Sequence, residues 1–306
     1  IIASISGTDP APEEFDVPSR GKRVLAWKKV VFHNEPVAVV AAITPTIAEE
    51  ALALITVEYE ALPVTLDPEA SMQPGATLLH DGVFTETFNG KARTPSNVAK
   101  VTEMSKGDVD AGLANAPVRI NASFRTAMVH QGYIEPQACL AEYAPDGRFS
   151  IWTSTQGSFG VRSGLAGFRP VKMQLSRSEV LRATRPAPDT SMHIELGAKL
   201  DGTLVAARAH YVWDVGAYPG GGSVGGINCG FGSYNVENFH YVGYDVLTNR
   251  PSTGAYRAPN GPQGAFGVES ALDMLADQLG MSPIALRLKN AVGEGDRNPS
   301  DVPYPR

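Results

Sequence analysis

The sequence predicts an α+β fold, and three observations carry that expectation. Period-two alternation runs through VRINASFRTAMV from Val118 and through both arms of ACLAEYAPDGRFSIWTST, which is the signature of strands. Helical spacing puts Val268, Leu272, Leu275 and Leu279 on one face of a long helix that Gly280 ends. Strands and helices follow one another without the regular βαβ alternation of a doubly wound sheet, and no internal repeat is present.

Taken in order, Lys29 to Ala42 (KVVFHNEPVAVVAA) holds two β-branched runs around a His-Asn-Glu-Pro turn. Thr46-Ile-Ala-Glu49 reads as a capping box that opens the short helix IAEEALALI. Thr56-Val-Glu-Tyr59 reads as a strand, which Leu62-Pro63 breaks. From about Ser71 to Thr102 the pattern weakens into a polar stretch bearing Gly and Pro. The expected division is therefore 1–75 as one domain, 76–102 as a connector and 103–306 as a second domain. In the second region Asp146-Gly147 turns one hairpin, and Asp201-Gly202 turns another between HIELGAKL and LVAARAHYVW. Gly216 to Gly232 is Gly-rich, with Tyr218 and Phe231 its only large groups, and no helix pattern follows it. Ser282-Pro283 starts a last helix that runs through Leu288.

Composition narrows the function classes. A chain of 306 residues, 43% hydrophobic and 19% charged, is globular and long enough for about two domains. A net charge of -6 with no basic block argues against a nucleic-acid partner. No apolar run approaches the roughly 18 residues of a membrane span, and the opening IIASISGTDP lacks a basic signal-peptide start. Cys139 and Cys229 are far apart and form no CxxC pair, which fits a reducing, cytoplasmic setting and excludes a Cys-ligated cluster within this chain. Ile1 is not a natural start, so a fragment or processed piece is expected.

Four stretches could carry chemistry. His130-Gln-Gly-Tyr-Ile-Glu-Pro-Gln137 is dense in donors and acceptors, although local structural pairing accounts for it as readily. Thr153-Ser-Thr-Gln-Gly157 ends a strand, where the Gln156 amide could reach a ligand. The run GAYPGGGSVGGINCGFGSY has neither GxGxxG nor GxxxxGK[ST], so a nucleotide loop is not expected; close backbone approach to a bulky ligand, or flexibility, stays open. The fourth is PSTGAYRAPNGPQGAF, a Pro- and Gly-rich loop at a helix entrance with Arg257 as its single charge. A hydrolase is disfavoured, because there is no GxSxG elbow, no HExxH and no histidine pair at ligand spacing.

In order along the chain, these segments resemble the xanthine dehydrogenase and aldehyde oxidase family, the molybdenum hydroxylases, and within it the molybdopterin-binding large subunit. EPVAVVAAITPTIAEEALALITVEYEALPVTLDPEA is similar to the family's hammerhead domain. HQGYIEPQACLAEY, FSIWTSTQGSFGVRSGLAG, RPVKMQLSRSEVLRATRPAP, DVGAY and GAYRAPNGPQGAFGVESALDMLADQLGMSPIALRLKN follow in the family's order, as a first molybdenum-binding domain. The resemblance implies an N-terminally truncated hammerhead in 1–75 and a partial first molybdopterin-binding domain in 103–306.

It also implies site residues. The arginine loop lies against the molybdenum centre in the family, which places Arg257 and Ala258 there, where a charge on a rigid loop stabilises an anion. The glutamine of the STQ segment maps to Gln156, with Gly157 beside it, and orients an oxygen ligand of the metal. The implied cofactor is molybdenum-molybdopterin. The implied reaction is oxidative hydroxylation of a small molecule, an aldehyde or N-heterocycle, with oxygen from water. Electrons would leave to partner subunits carrying Fe-S clusters and FAD, in a heteromeric complex.

Two departures qualify this. Carbon monoxide dehydrogenases of the family carry a cysteine after the arginine; here the residue is Ala258, which favours an organic substrate. A GGGFGGK-type segment is absent between Gly167 and Phe168, and the family's catalytic glutamate belongs beyond Arg306, so no catalytic base is assigned. The alternative expectation is a non-catalytic remnant or scaffold that keeps the subunit interface without holding cofactor.

Overall fold

The computed structural model describes residues 3–6, 25–26, 28–155 and 171–304. These form two compact units: one gathers the described residues of 3–61 with 132–184, the other 62–131 with 185–304.

In the first unit β1 (Ala3–Ser6) pairs antiparallel with β2 (Ala38–Ala41). Helix α1 (Pro45–Ala53) starts with Pro45, and the Thr44 hydroxyl accepts the Ile47 N–H at 3.3 Å. It therefore opens two residues ahead of the expected box at Thr46, because proline brings a preset φ and no N–H to satisfy. Thr56–Tyr59 forms no strand. Strands β7 (Ala138–Tyr143), β8 (Phe149–Thr153) and β9 (Val171–Gln174) make a sheet in the order β8-β7-β9. The expected Asp146-Gly147 turn joins β7 to β8, with Gly147 at φ 86° and the Ala144 N–H donating to the Arg148 carbonyl at 2.8 Å. Helix α4 (Arg177–Ala183) opens on a capping box in which Ser176 and Glu179 satisfy one another's backbone N–H groups.

The second unit is built on a seven-stranded sheet, β4-β3-β5-β12-β11-β10-β6. Its strands are β3 (Phe84–Thr87), β4 (Gly90–Pro95), β5 (Val98–Lys106), β6 (Val118–Thr126), β10 (Thr190–Ala198), β11 (Leu204–Gly216) and β12 (Asn238–Leu247). Short helices α2 (Pro68–Ser71) and α3 (Val109–Asn115) also belong to this unit. Residues 76–102, expected as a connector, hold β3, β4 and the start of β5. β3 is only four residues long and the edge strand β4 is exposed along its whole length, so neither carries the apolar alternation that marks a strand in sequence.

Strand β11 sets the core. Ala207, Ala209, Tyr211 and Trp213 fall on one face and join the main hydrophobic cluster, while Val212 between them joins a second cluster with Val98 and Val246. β11 and β12 are parallel, so the chain crosses over between them, and the crossover contains helix α5 (Ser223–Phe231). This helix lies inside the glycine run that gave no helix pattern. Its glycines serve contact with helix α6 (Gly261–Leu279): a methyl on Gly230 would stand 2.9 Å from the Gly264 carbonyl oxygen, and one on Gly264 would fall on the Gly226 carbonyl. The close approach open in the sequence is thus made to another helix. Helix α6 buries Val268, Leu272 and Leu275 and ends at Gly280 in the left-handed region, φ 62°. Helix α7 (Pro283–Asn290) follows from the N-cap Ser282.

Candidate functional site

The arginine loop, residues 251–260, is tied down from three directions within the second unit. The first tie begins at Asp214, in the DVGAY segment at the end of β11. Its buried carboxylate accepts the Gly216 N–H at 2.9 Å and the Thr248 hydroxyl at 2.6 Å. This fixes Gly216 at φ 72°, where a side chain would collide with the Pro251 carbonyl, and the Thr253 N–H donates to the Val215 carbonyl at 3.0 Å. Glycine is required there on both counts. Burial raises the Asp214 pKa, against the opposing pull of Thr248, Gly216 and the Arg250 guanidinium. Arg250 Nη1 stands 3.2 Å from Asp214 Oδ2 and 3.2 Å from Asp189 Oδ2. Asp189 also takes both arms of Arg125, at 3.2 and 3.1 Å.

The second tie comes from the segment before β10. The Gly254 N–H donates to the Pro186 carbonyl at 3.0 Å, and a methyl on Gly254 would stand 2.5 Å from Arg185 Cβ. Gln131 adds a side-chain link, its Nε2 donating to the carbonyls of Arg185 at 3.2 Å and Ala255 at 3.3 Å. The third tie is to the helices. Ala258 (φ 53°) and Asn260 (φ 63°) both adopt left-handed backbone, the Gly261 N–H donates to the Ala258 carbonyl at 2.8 Å, and a methyl on Gly222 would stand 2.5 Å from Asn260 Nδ2. Arg257 thus sits exposed on a loop held at both shoulders, and it makes no ion pair with any other described residue.

Arg257 and Ala258 are adjacent in this loop, as their places in sequence require. Gln156 and Gly157 lie outside the described residues, as does the junction of Gly167 with Phe168. The rest of the HQGYIEPQ segment is occupied locally: Glu135 accepts the Ser154 hydroxyl at 2.6 Å, and Tyr133 donates to Thr184 at 3.0 Å. Sequence reasoning marked Gln131 only as one member of the HQGYIEPQ segment and did not mark Asp189; the partners of both are remote in sequence and carry no local signature. Among the described residues no group of three His, Cys, Asp or Glu could hold a metal. A cavity of about 320 Å³ opens on the sheet, lined by Glu69, Ser123, His193 and His210 among others, none of them from the arginine loop.

Comparison with known proteins decides the family. The family model described as a molybdopterin cofactor-binding domain matches residues 91–168 and 165–291, and that of the aldehyde oxidase and xanthine dehydrogenase a/b hammerhead domain matches 1–63. The chain belongs to the aldehyde oxidase and xanthine dehydrogenase family. Within that family it is 30% identical to the xanthine dehydrogenase molybdenum-binding subunit of Escherichia coli O157:H7, over 90% of this chain and 41% of that protein. It is 27% identical to the nicotinate dehydrogenase large molybdopterin subunit of Eubacterium barkeri, over 92% of this chain and 73% of that protein. Its fold matches reconstituted CO dehydrogenase from Oligotropha carboxidovorans with a TM-score of 0.85 and 28% identity, over 95% of this chain and 43% of that one. The chain spans less than half of the length of the E. coli relative. That alignment runs over 322 positions while taking up 90% of a 306-residue chain, so the relative carries residues that this chain lacks.

The described residues fit an anionic cofactor rich in N–H donors. Beside the exposed Arg257 charge, Gln131 Oε1, Ser252 Oγ and Gln263 Oε1 are buried and have no hydrogen-bond partner among the described residues. Buried acceptors are left open at a cost of about 1–3 kcal/mol each unless a ligand or water fills them.

Proposed function

We propose that the chain is the cofactor-holding part of a molybdenum hydroxylase large subunit that oxidises an aldehyde or N-heterocycle. The observation that carries this reading is the Arg257 loop, pinned at both shoulders and flanked by buried acceptors without partners. When bound, molybdenum-molybdopterin supplies the two-electron redox chemistry and activates the water that provides the oxygen. Arg257 holds negative charge near the loop without reorganising, because its backbone is already fixed. Ala258 presents its backbone in the left-handed region and a methyl group, with no thiol after the arginine, which supports an organic substrate. Gln156 and Gly157 are assigned to orient the metal's oxygen ligand from the STQ segment. The electron acceptors are partner subunits with Fe-S clusters and FAD, in a cytoplasmic complex; no described helix is long and apolar enough to cross a membrane.

The test is elemental mass spectrometry and aldehyde turnover on the protein purified from its host with whatever copurifies. Near-stoichiometric molybdenum is expected, and Arg257→Ala and Gln156→Ala should each lower turnover at least tenfold while circular dichroism is unchanged. Equal turnover in both variants refutes the site. A wild-type complex without molybdenum favours the scaffold alternative.

A further inference from the structure

We infer that Gln131 is a positioning residue that locks the Arg257 loop in its working shape; this rests on the reading of that loop given above. Its amide orientation is settled by chemistry. The two groups it meets, the carbonyls of Arg185 and Ala255, can only accept, so the NH₂ end faces both and Oε1 faces elsewhere. One side chain therefore ties the segment entering β10 to the backbone two residues ahead of Arg257. The tie is short because Gly254 has no side chain to hold the segments apart, and the Gly254 N–H already bonds to Pro186.

The residue type follows from this geometry. A glutamate of the same length would set a carboxylate against two carbonyl oxygens, and a methionine would leave both without a donor. Only a side-chain amide gives two donors from one planar end and keeps an acceptor free. That acceptor, Oε1, is buried and has no partner among the described residues, so it is available to a donor that arrives at the loop.

The experiment compares Gln131→Glu, Gln131→Met and Arg257→Met in the protein purified with its copurifying partners. The readouts are hydrogen exchange of peptides covering 253–258 and the molybdenum-to-protein ratio. In Gln131→Glu at pH 8 these amides should exchange at least tenfold faster than in wild type, with the thermal midpoint held and the molybdenum ratio at least halved. At pH 4, below the ordinary glutamate value of about 4.3, part of the protection should return, since a protonated carboxyl regains one of the two donors. Gln131→Met should stay open at both pH values, a contrast that a space-filling role would not produce. Unchanged exchange in both Gln131 variants overturns the inference and leaves the site reading standing. Faster exchange with full molybdenum retention, while Arg257→Met loses the metal, also overturns it. Full retention in Arg257→Met refutes the site reading itself, and the inference falls with it.

Discussion

Gly264 on α6 rests directly on the Gly226 carbonyl of α5, so at this contact the two helices meet backbone to backbone. A methyl on Gly264 has no soft neighbour to push aside, because the obstruction is main chain. Gly264→Ala should therefore cost roughly 3 kcal/mol, the upper range for overpacking. Gly75→Ala is the control: it has open space but φ +84°, and should cost about 1 kcal/mol from backbone strain alone. Thermal midpoints of the two variants give the comparison, and equal shifts would show that the helices part easily.

Asp189 is buried and faces two guanidinium groups of unequal exposure. The Arg125 side chain is 56% exposed and that of Arg250 28%. Solvent screens the first pair, so Arg125→Met should cost under about 1 kcal/mol. Asp189→Ala removes the shared partner and leaves Arg250 with Asp214 as its remaining ion pair among the described residues, for a loss of about 2 kcal/mol. Urea midpoints should rank the variants in that order, and the reverse order would place the stabilisation in Arg125.

Asp245 lies buried beside Ser223 at the start of α5, and burial pushes its pKa up to about 6 despite Lys100 and the hydrogen bonds from Ser223. The folded chain keeps a proton there that the unfolded chain has released. The stability contributed by this group is full below about pH 4 and is lost as the pH rises through about 6. Asp245→Asn should thus be near neutral at pH 4 and stabilising by about 3 kcal/mol at pH 7.5. A pH-independent difference between variant and wild type would contradict the raised pKa.

Ala258 carries a side chain at φ 53°, where glycine is favoured by about 1 kcal/mol. Ala258→Gly should raise the thermal midpoint by a few degrees if the loop shape is set by its ties alone. A fall instead would show that the alanine methyl is itself a packing contact.

Much of this architecture was legible in sequence. The alternation from Val118, the two Asp-Gly turns and the Val268–Leu279 stripe all reappear at the expected places, because each rests on local period and turn chemistry. The glycine run hid α5 because the face it turns to α6 is glycine backbone, and hydrophobic periodicity reads only side chains. Arg257 could be picked out by composition, as one charge among prolines and glycines. Gln131 stood out only within the polar HQGYIEPQ segment, and its role was hidden because its partners Arg185 and Ala255 are 54 and 124 residues away. Asp189 was invisible for the same reason, its two arginines lying 61 and 64 residues from it.

Strands β6 and β10 are antiparallel neighbours, and the chain between them leaves at Val129 and returns at Ala187 through a reciprocal pair of backbone hydrogen bonds of 3.3 and 2.8 Å. The segment from 132 to 184 is therefore a closed excursion whose ends are clipped at its base. The entropy of closing such an excursion grows only with the logarithm of its length, by about 0.6 kcal/mol per doubling. The sheet is thus nearly indifferent to how many residues the excursion contains. A change in the length of the excursion would therefore leave the strand pairing at its root unchanged, so this connection can be edited without refolding the core.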